Sequence, residues 1–188
     1  LFSMKKACML GIVSLAAVQL TAEVIVTPAD WKIGRDAKDP VVTEESFSAT
    51  ANGPDTILTL KSFQPFPAAE NDLLTFSMRF PKGKKTTLQF FWMNDRDRKL
   101  SEAKSLRRTI TGTGELETCV IPLAGRTGWE GTITGLRLDP AALPKGTEAE
   151  FSIGEFKLTG LAGGLLVPRQ QLCEPPDRGR YGHRRLYR

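Results

Sequence analysis

The sequence predicts an all-β protein: an antiparallel β-sandwich, jelly-roll-like, of about eight or nine strands. Three observations carry that expectation. Apolar and polar residues alternate with a period of two in run after run between residues 24 and 158, the signature of half-buried strands. Turn-forming clusters separate the runs at Asn52-Gly53-Pro54, Pro65-Phe66-Pro67, Gly112-Thr113-Gly114, 125–128 and 140–146. Helical periodicity is scarce, since the one stretch longer than a turn, 99–107, has too few apolar residues to form a buried face.

Taken in order, Val24-Ile25-Val26 opens the domain. Residues 46–50 place Phe47 and Ala49 on one side, and 56–60 place Leu58 and Leu60 together. Leu74, Phe76, Met78 and Phe80 share a face opposite Thr75, Ser77 and Arg79, the cleanest half-buried strand in the chain. Pro81-Lys82-Gly83-Lys84 turns it. Residues 87–93 follow, with Leu88, Phe90 and Trp92 on one face and Gln89, Phe91 and Met93 on the other. A strand apolar on both faces is central, buried on one side and covered or ligand-facing on the other. Short runs at 109–111 and 118–123 come next, and Leu136 and Leu138 point inward while Arg137 and Asp139 point outward. In the last run, 148–158, Ala149, Phe151 and Ile153 keep step, but Phe156 and Leu158 resume it one residue late. Gly154 sits at the slip, as it would in a β-bulge.

The two ends differ from this domain. Lys5-Lys6, the apolar run 7–18 and Leu20-Thr21-Ala22 read as a signal peptide over 1–22, with Leu1-Phe2-Ser3 upstream of an initiator-like Met4. The run is shorter than the roughly 20 apolar residues a membrane span needs. Export to a secreted or periplasmic location is therefore expected, with no membrane span in the mature chain. Residues 161–188 lose all periodicity and become rich in Arg and Pro, so a disordered basic tail is expected, either a genuine extension or frameshifted sequence. The formal net charge of +5 belongs to these ends. Residues 23–160 hold 18 basic and 19 acidic residues. The domain accordingly lacks the electrostatic footprint of a nucleic-acid binder.

Little in the chain can do chemistry. The single histidine, His183, lies in the tail, which removes His-based triads and His-containing zinc sites from the domain. Cys119 and Cys173 are too few and too far apart for a disulfide framework or a metal site, and Cys119 alternates with Ile121 and Leu123 as a buried thiol would. A carboxylate pair for glycoside hydrolysis is compatible with the composition, but a lone sandwich of about 140 residues without an evident cleft would be a small hydrolase. A non-catalytic chain is the expectation.

The order of features resembles the galactose-binding-domain-like sandwiches found as carbohydrate-binding modules in exported bacterial proteins. The resemblance rests on Trp31 with Gly34, on Leu73-Leu74-Thr75-Phe76-Ser77-Met78-Arg79, and on Gln89-Phe90-Phe91-Trp92. It continues through Val120-Ile121-Pro122-Leu123, Trp129-Glu130-Gly131-Thr132-Ile133, Leu136-Arg137-Leu138-Asp139-Pro140 and the closing Phe151-Ser152-Ile153-Gly154-Glu155-Phe156-Lys157-Leu158. It implies a sandwich of eight or nine strands over 23–160, no catalysis, and often a structural calcium. The partner it implies is a glycan or cell-surface polymer, bound weakly; an extracellular or envelope domain that binds protein is the alternative.

Sugar recognition sets an aromatic face against the apolar side of a pyranose, flanked by planar hydrogen-bonding groups. Trp92 with Asn94, Asp95 and Arg96 would make such a set, although its alternation with Leu88 and Phe90 favours the core. Trp129, between Gly128 and Gly131, is either an exposed platform or the plug at one end of the sandwich. Arg79 and Arg137 project from the non-core side of their strands and would line a polar groove if those strands share a sheet; otherwise they are solvated. Asn94-Asp95-Arg96-Asp97 resembles the opening of a calcium loop without the glycine and glutamate that an EF-hand requires. Calcium at Asp95 and Asp97, completed by backbone carbonyls, is the metal site expected if there is one.

Overall fold

The computed structural model describes residues 23–160, so the expected leader and tail lie outside the described residues. Twelve strands follow one another: β1 (Val24–Val26), β2 (Trp31–Arg35), β3 (Ala37–Val42), β4 (Phe47–Ala51), β5 (Ile57–Leu60), β6 (Phe66–Pro67), β7 (Leu73–Arg79), β8 (Lys85–Asn94), β9 (Ser105–Thr111), β10 (Glu117–Pro122), β11 (Thr132–Asp139) and β12 (Ala149–Thr159). They form two six-stranded sheets. One runs β10-β7-β12-β4-β3 with β1 added beside β12; the other runs β2-β5-β11-β8-β9 with β6 added beside β11. Neighbouring strands pair antiparallel in both.

The strand count exceeds the expected eight or nine because β2, β3 and β6 carry no readable alternation. β3 is exposed along nearly its whole length at the edge of its sheet, and contains Pro40. Only Trp31 of β2 is buried, and β6 is two residues long. An edge strand that buries little has no reason to alternate. β9 also starts earlier than its sequence suggested, directly after a single 3-10 turn at Glu102–Lys104.

Aromatic side chains from both sheets meet in the core. Phe156 of β12 stacks on Phe76 of β7 at 4.5 Å between ring centroids. Across the sandwich it meets Trp31 of β2 edge-on at 5.3 Å and Phe90 of β8 at 6.0 Å. Burial of each such side chain contributes about 1.5–3 kcal/mol relative to exposure. Phe156 reaches this position through the bulge. Ile153 pairs with Met78 and Phe156 with Phe76, three steps on β12 against two on β7. The extra residue turns Phe156 and Leu158 back to the inner face, where both are fully buried. Cys119, in β10, is buried.

β8 sends Leu88, Phe90 and Trp92 into the core and lies between β11 and β9. Its other face, with Gln89, Phe91 and Met93, lies on the outer surface of the second sheet, one strand in from the β9 edge, and that surface holds the site described next.

Candidate functional site

The tryptophans do not form a binding platform. Trp92 is fully buried and Trp129 is 6% exposed. Their rings meet edge-to-face at 5.4 Å, and Trp129 also lies beside Phe66 and Phe90. Trp129 is thus the plug of one end of the sandwich, and neither indole offers a face to a ligand. The loop is shaped to place it there. Gly128 adopts φ +70°, and a Cβ on it would come within 2.7 Å of the Lys104 side chain, so a glycine is needed on both counts.

Asn94 braces that same loop rather than a ligand. Its Nδ2 donates to the Gly128 carbonyl at 3.0 Å, and its Oδ1 accepts from the Asp97 backbone N–H at 2.8 Å. Of the expected calcium pair Asp95 and Asp97, Asp97 is already held by a lysine. The buried Lys104 ammonium donates to the Asp97 carbonyl at 2.6 Å and lies 3.0 Å from its carboxylate. That contact holds the Asp97 carboxyl below its ordinary range. A dication would share its ligand with a buried cation. Among the described residues, no three Asp, Glu, Cys or His side chains group together in a way that could hold a metal.

Arg79 and Arg137 belong to different sheets, so they cannot line one groove. Arg79, on β7, donates to the Ser152 Oγ at 2.9 Å in a shallow groove of about 390 Å³ bordered by Val41, Ser48, Thr50 and Glu150. Arg137, on β11, lies in a larger cleft of about 560 Å³ on the outer face of the second sheet.

Three neighbouring strands build the floor of this cleft. Antiparallel register sets Gln89 of β8 between Asp139 of β11 and Arg107 of β9, and sets Phe91 between Arg137 and Ser105. The 100–102 segment forms one wall, Pro54 and Asp55 the other. Ala141 and Ala142 close one end, where the Ala142 N–H donates to the Thr86 Oγ1 at 2.9 Å.

Two hydrogen-bonded chains of charge cross the floor. Arg137 donates through Nε and Nη2 to the two Asp139 oxygens, each at 2.7 Å, and through Nη2 to the Asp55 Oδ1 at 3.1 Å. Asp55 continues to Arg35 at the rim. On the other side the Arg107 Nη2 donates to the Gln89 Oε1 at 2.8 Å and to the Glu102 Oε2 at 3.3 Å. The Gln89 Nε2 in turn donates to Glu102 and to the Ser105 Oγ, both at 2.8 Å. Burial pushes the Asp139 carboxyl above the ordinary aspartate value, and the adjacent guanidinium of Arg137 opposes that push.

Phe91 is only 5% exposed, because the Arg137 guanidinium lies over its ring at 4.9 Å from the centroid. It therefore acts as the support for a planar cation. The exposed apolar surface in the cleft comes from Leu100 and Pro54 at its sides and Ala142 at its end. The result is a row of planar donors and acceptors with Leu100 and Pro54 as apolar flanks.

Sequence reasoning pointed to Arg137 but not to Gln89, Arg107, Glu102, Asp55 or Asp139. The signal available was the two-faced pattern of 87–93, which required the Gln89–Phe91–Met93 face to be covered or ligand-facing.

No protein-family model matches the sequence, and no curated protein matches it. Solved structures are similar in fold. One is the low-affinity xylan binding module CBM86 from the gut symbiont Roseburia intestinalis, with a TM-score of 0.50, 13% identity, and coverage of 73% of this chain and 94% of that one. Another is the family 11 carbohydrate-binding module from Clostridium thermocellum in complex with a β-1,3-1,4-mixed-linked tetrasaccharide, with a TM-score of 0.48, 15% identity, and 73% and 95% coverage. A third is the CBM36-1 domain of a multidomain xylanase from the hindgut metagenome of Trinervitermes trinervoides, with a TM-score of 0.47, 12% identity, and 78% and 100% coverage. At these identities the likeness is one of fold: the chain is an antiparallel sandwich, similar in fold to the xylan binding module.

Proposed function

We propose that this protein is an exported, non-catalytic module that binds a glycan weakly in the cleft over β9, β8 and β11. The observation that carries the reading is the continuous row Arg107–Gln89–Asp139, flanked by Arg137 and Glu102. Sugar hydroxyls both donate and accept, and a row that alternates guanidinium, amide and carboxylate matches them in pairs. Weak affinity follows from the lack of an open aromatic face. A sandwich of the same fold serves xylan binding in the Roseburia intestinalis module.

The carboxylates themselves argue against hydrolysis. Both Asp139 oxygens accept from Arg137 and both Asp55 oxygens are held by arginines, while Glu102, the most exposed of the three, accepts from Gln89 and Arg107 through Oε2 alone. A general acid or nucleophile has to be available to the scissile bond. Export rests on the leader-like residues 1–22; in addition, no described helix is long and apolar enough to cross a membrane.

Glycan-array screening and calorimetry of the full chain test the proposal. Arg107 is exposed but donates to the buried Gln89 Oε1, so Arg107→Ala should cost about 1–3 kcal/mol of stability at most and leave a folded chain whose binding can be measured. A lost charge-assisted bond of about 1.5 kcal/mol corresponds to a roughly tenfold weaker affinity. Silence of the wild type across plant, algal and bacterial polysaccharides would sink the proposal.

A protein partner is the second reading. It rests on Val41 and Val42, 59% and 46% exposed and adjacent on the edge strand β3, beside the groove that holds Arg79. Loss of a pulled-down partner on Val41→Lys, with glycan arrays silent, would favour it.

A further inference from the structure

The lining of the cleft contains two arginines and three carboxylates: Arg107 and Arg137, with Asp55, Glu102 and Asp139. Both arginines are already joined to carboxylates. Arg137 is engaged by Asp139 through two bonds and by Asp55 through a third, and lies over Phe91. Arg107 is engaged by Glu102, and Arg35 at the rim by Asp55. We infer that the glycan this cleft accepts is an uncharged one, and that sulfated and uronic-acid polymers are turned away; the inference rests on the glycan-binding reading above.

The reasoning is one of competition for donors. A sulfate or carboxylate on the ligand would have to take Arg137 from Asp139, which is 9% exposed and has no second cation bonded to it among the described residues. Displacement would leave a buried carboxylate uncompensated beside a new anion, with Asp55 also close by. At Arg107 the anion would meet Glu102 on the same guanidinium. A hydroxyl faces neither cost. It can accept from the remaining N–H groups of Arg107 and donate to the remaining carboxylate lone pairs without breaking an existing pair. Net charge points the same way, since the lining carries one more carboxylate than guanidinium and gives a polyanion no attractive field.

Calorimetry on the full chain with matched oligosaccharides tests this. Xylan and mixed-linkage β-glucan oligomers are the uncharged probes, with oligogalacturonate and a sulfated galactan oligomer as the charged ones, each at low and high salt. Affinity for an uncharged probe should exceed that for the charged probes by about tenfold or more and change little with salt, because no ion pair forms. Glu102→Gln, a substitution at an exposed position, frees Arg107. It should raise affinity for a charged probe in a salt-sensitive way and so narrow the gap between the two classes of probe by severalfold, whatever it does to the uncharged probe. Equal or tighter binding of a charged probe by the wild type would overturn the inference and leave glycan binding intact. Binding of neither class would remove the glycan reading itself, and this inference with it.

Discussion

Arg137 lies over Phe91, 4.9 Å from the ring centroid, and in that position delivers two hydrogen bonds to the single carboxylate of Asp139. The aromatic ring supports the guanidinium from one side, and the bidentate bonds to the carboxylate fix its orientation. A polar row is thereby pre-organised on a strand face, which lowers the ordering cost of binding.

Truncation of that arginine should therefore affect both folding and binding. Arg137→Ala leaves Asp139 buried without its cation, at a cost of about 3–5 kcal/mol, as when one partner of a buried ion pair is removed. Adding Asp139→Asn should recover part of the loss. Chemical denaturation of the two single variants and the double variant measures the coupling; strict additivity would show that the pair contributes nothing.

The pH dependence of Asp139 has a definite sign. Its folded value lies above the ordinary 3.8, so the folded chain holds this proton more tightly than the unfolded chain does. Its contribution to stability is most favourable below 3.8 and is lost as pH rises through the folded value. Asp97, whose value is lowered first by Lys104, has the opposite sign: its contribution is present above 3.8 and lost as pH falls through the lower folded value. Carboxyl carbon NMR titration should place the Asp139 midpoint above that of Asp97. The reverse order would refute the assignment of burial as the dominant influence on Asp139.

Trp129 offers the sharpest separation of core from ligand. Trp129→Ala should cost about 3–5 kcal/mol, as for a buried large aromatic. Emission from the wild-type tryptophans should be that of buried indoles and should not shift when glycan is added. A stable Trp129→Ala variant that has lost only binding would move the ligand to the end of the sandwich.

Phe76 tests the inner face of β7. It stacks on Phe156 and is 2% exposed, so Phe76→Ala should also cost about 3–5 kcal/mol. A loss below about 1 kcal/mol would mean that the strand's faces had been reversed.

Much of this molecule follows from its sequence alone. Strands that bury one face must alternate, so Leu74, Phe76 and Met78 announced β7, and the slip at Gly154 announced the bulge that brings Phe156 into the core. The doubly apolar 87–93 run announced a central strand with two occupied faces. Weakly buried strands left no such pattern, which is why β2, β3 and β6 were not legible.

The site belongs to the other category. Whether an indole is core or platform depends on which way a loop folds, and Gly128 allows a turn whose direction only the packing around Lys104 and Asn94 decides. Arg79 and Arg137 look alike in sequence, each at an outward position on a strand. Strand order alone puts them on opposite sheets. Gln89, Arg107 and Asp139 lie far apart along the chain and become neighbours through the registers of β8 with β9 and β11. Alternation is a local property that each strand carries in itself. A row of side chains across three strands arises only when long-range pairing brings them to one level.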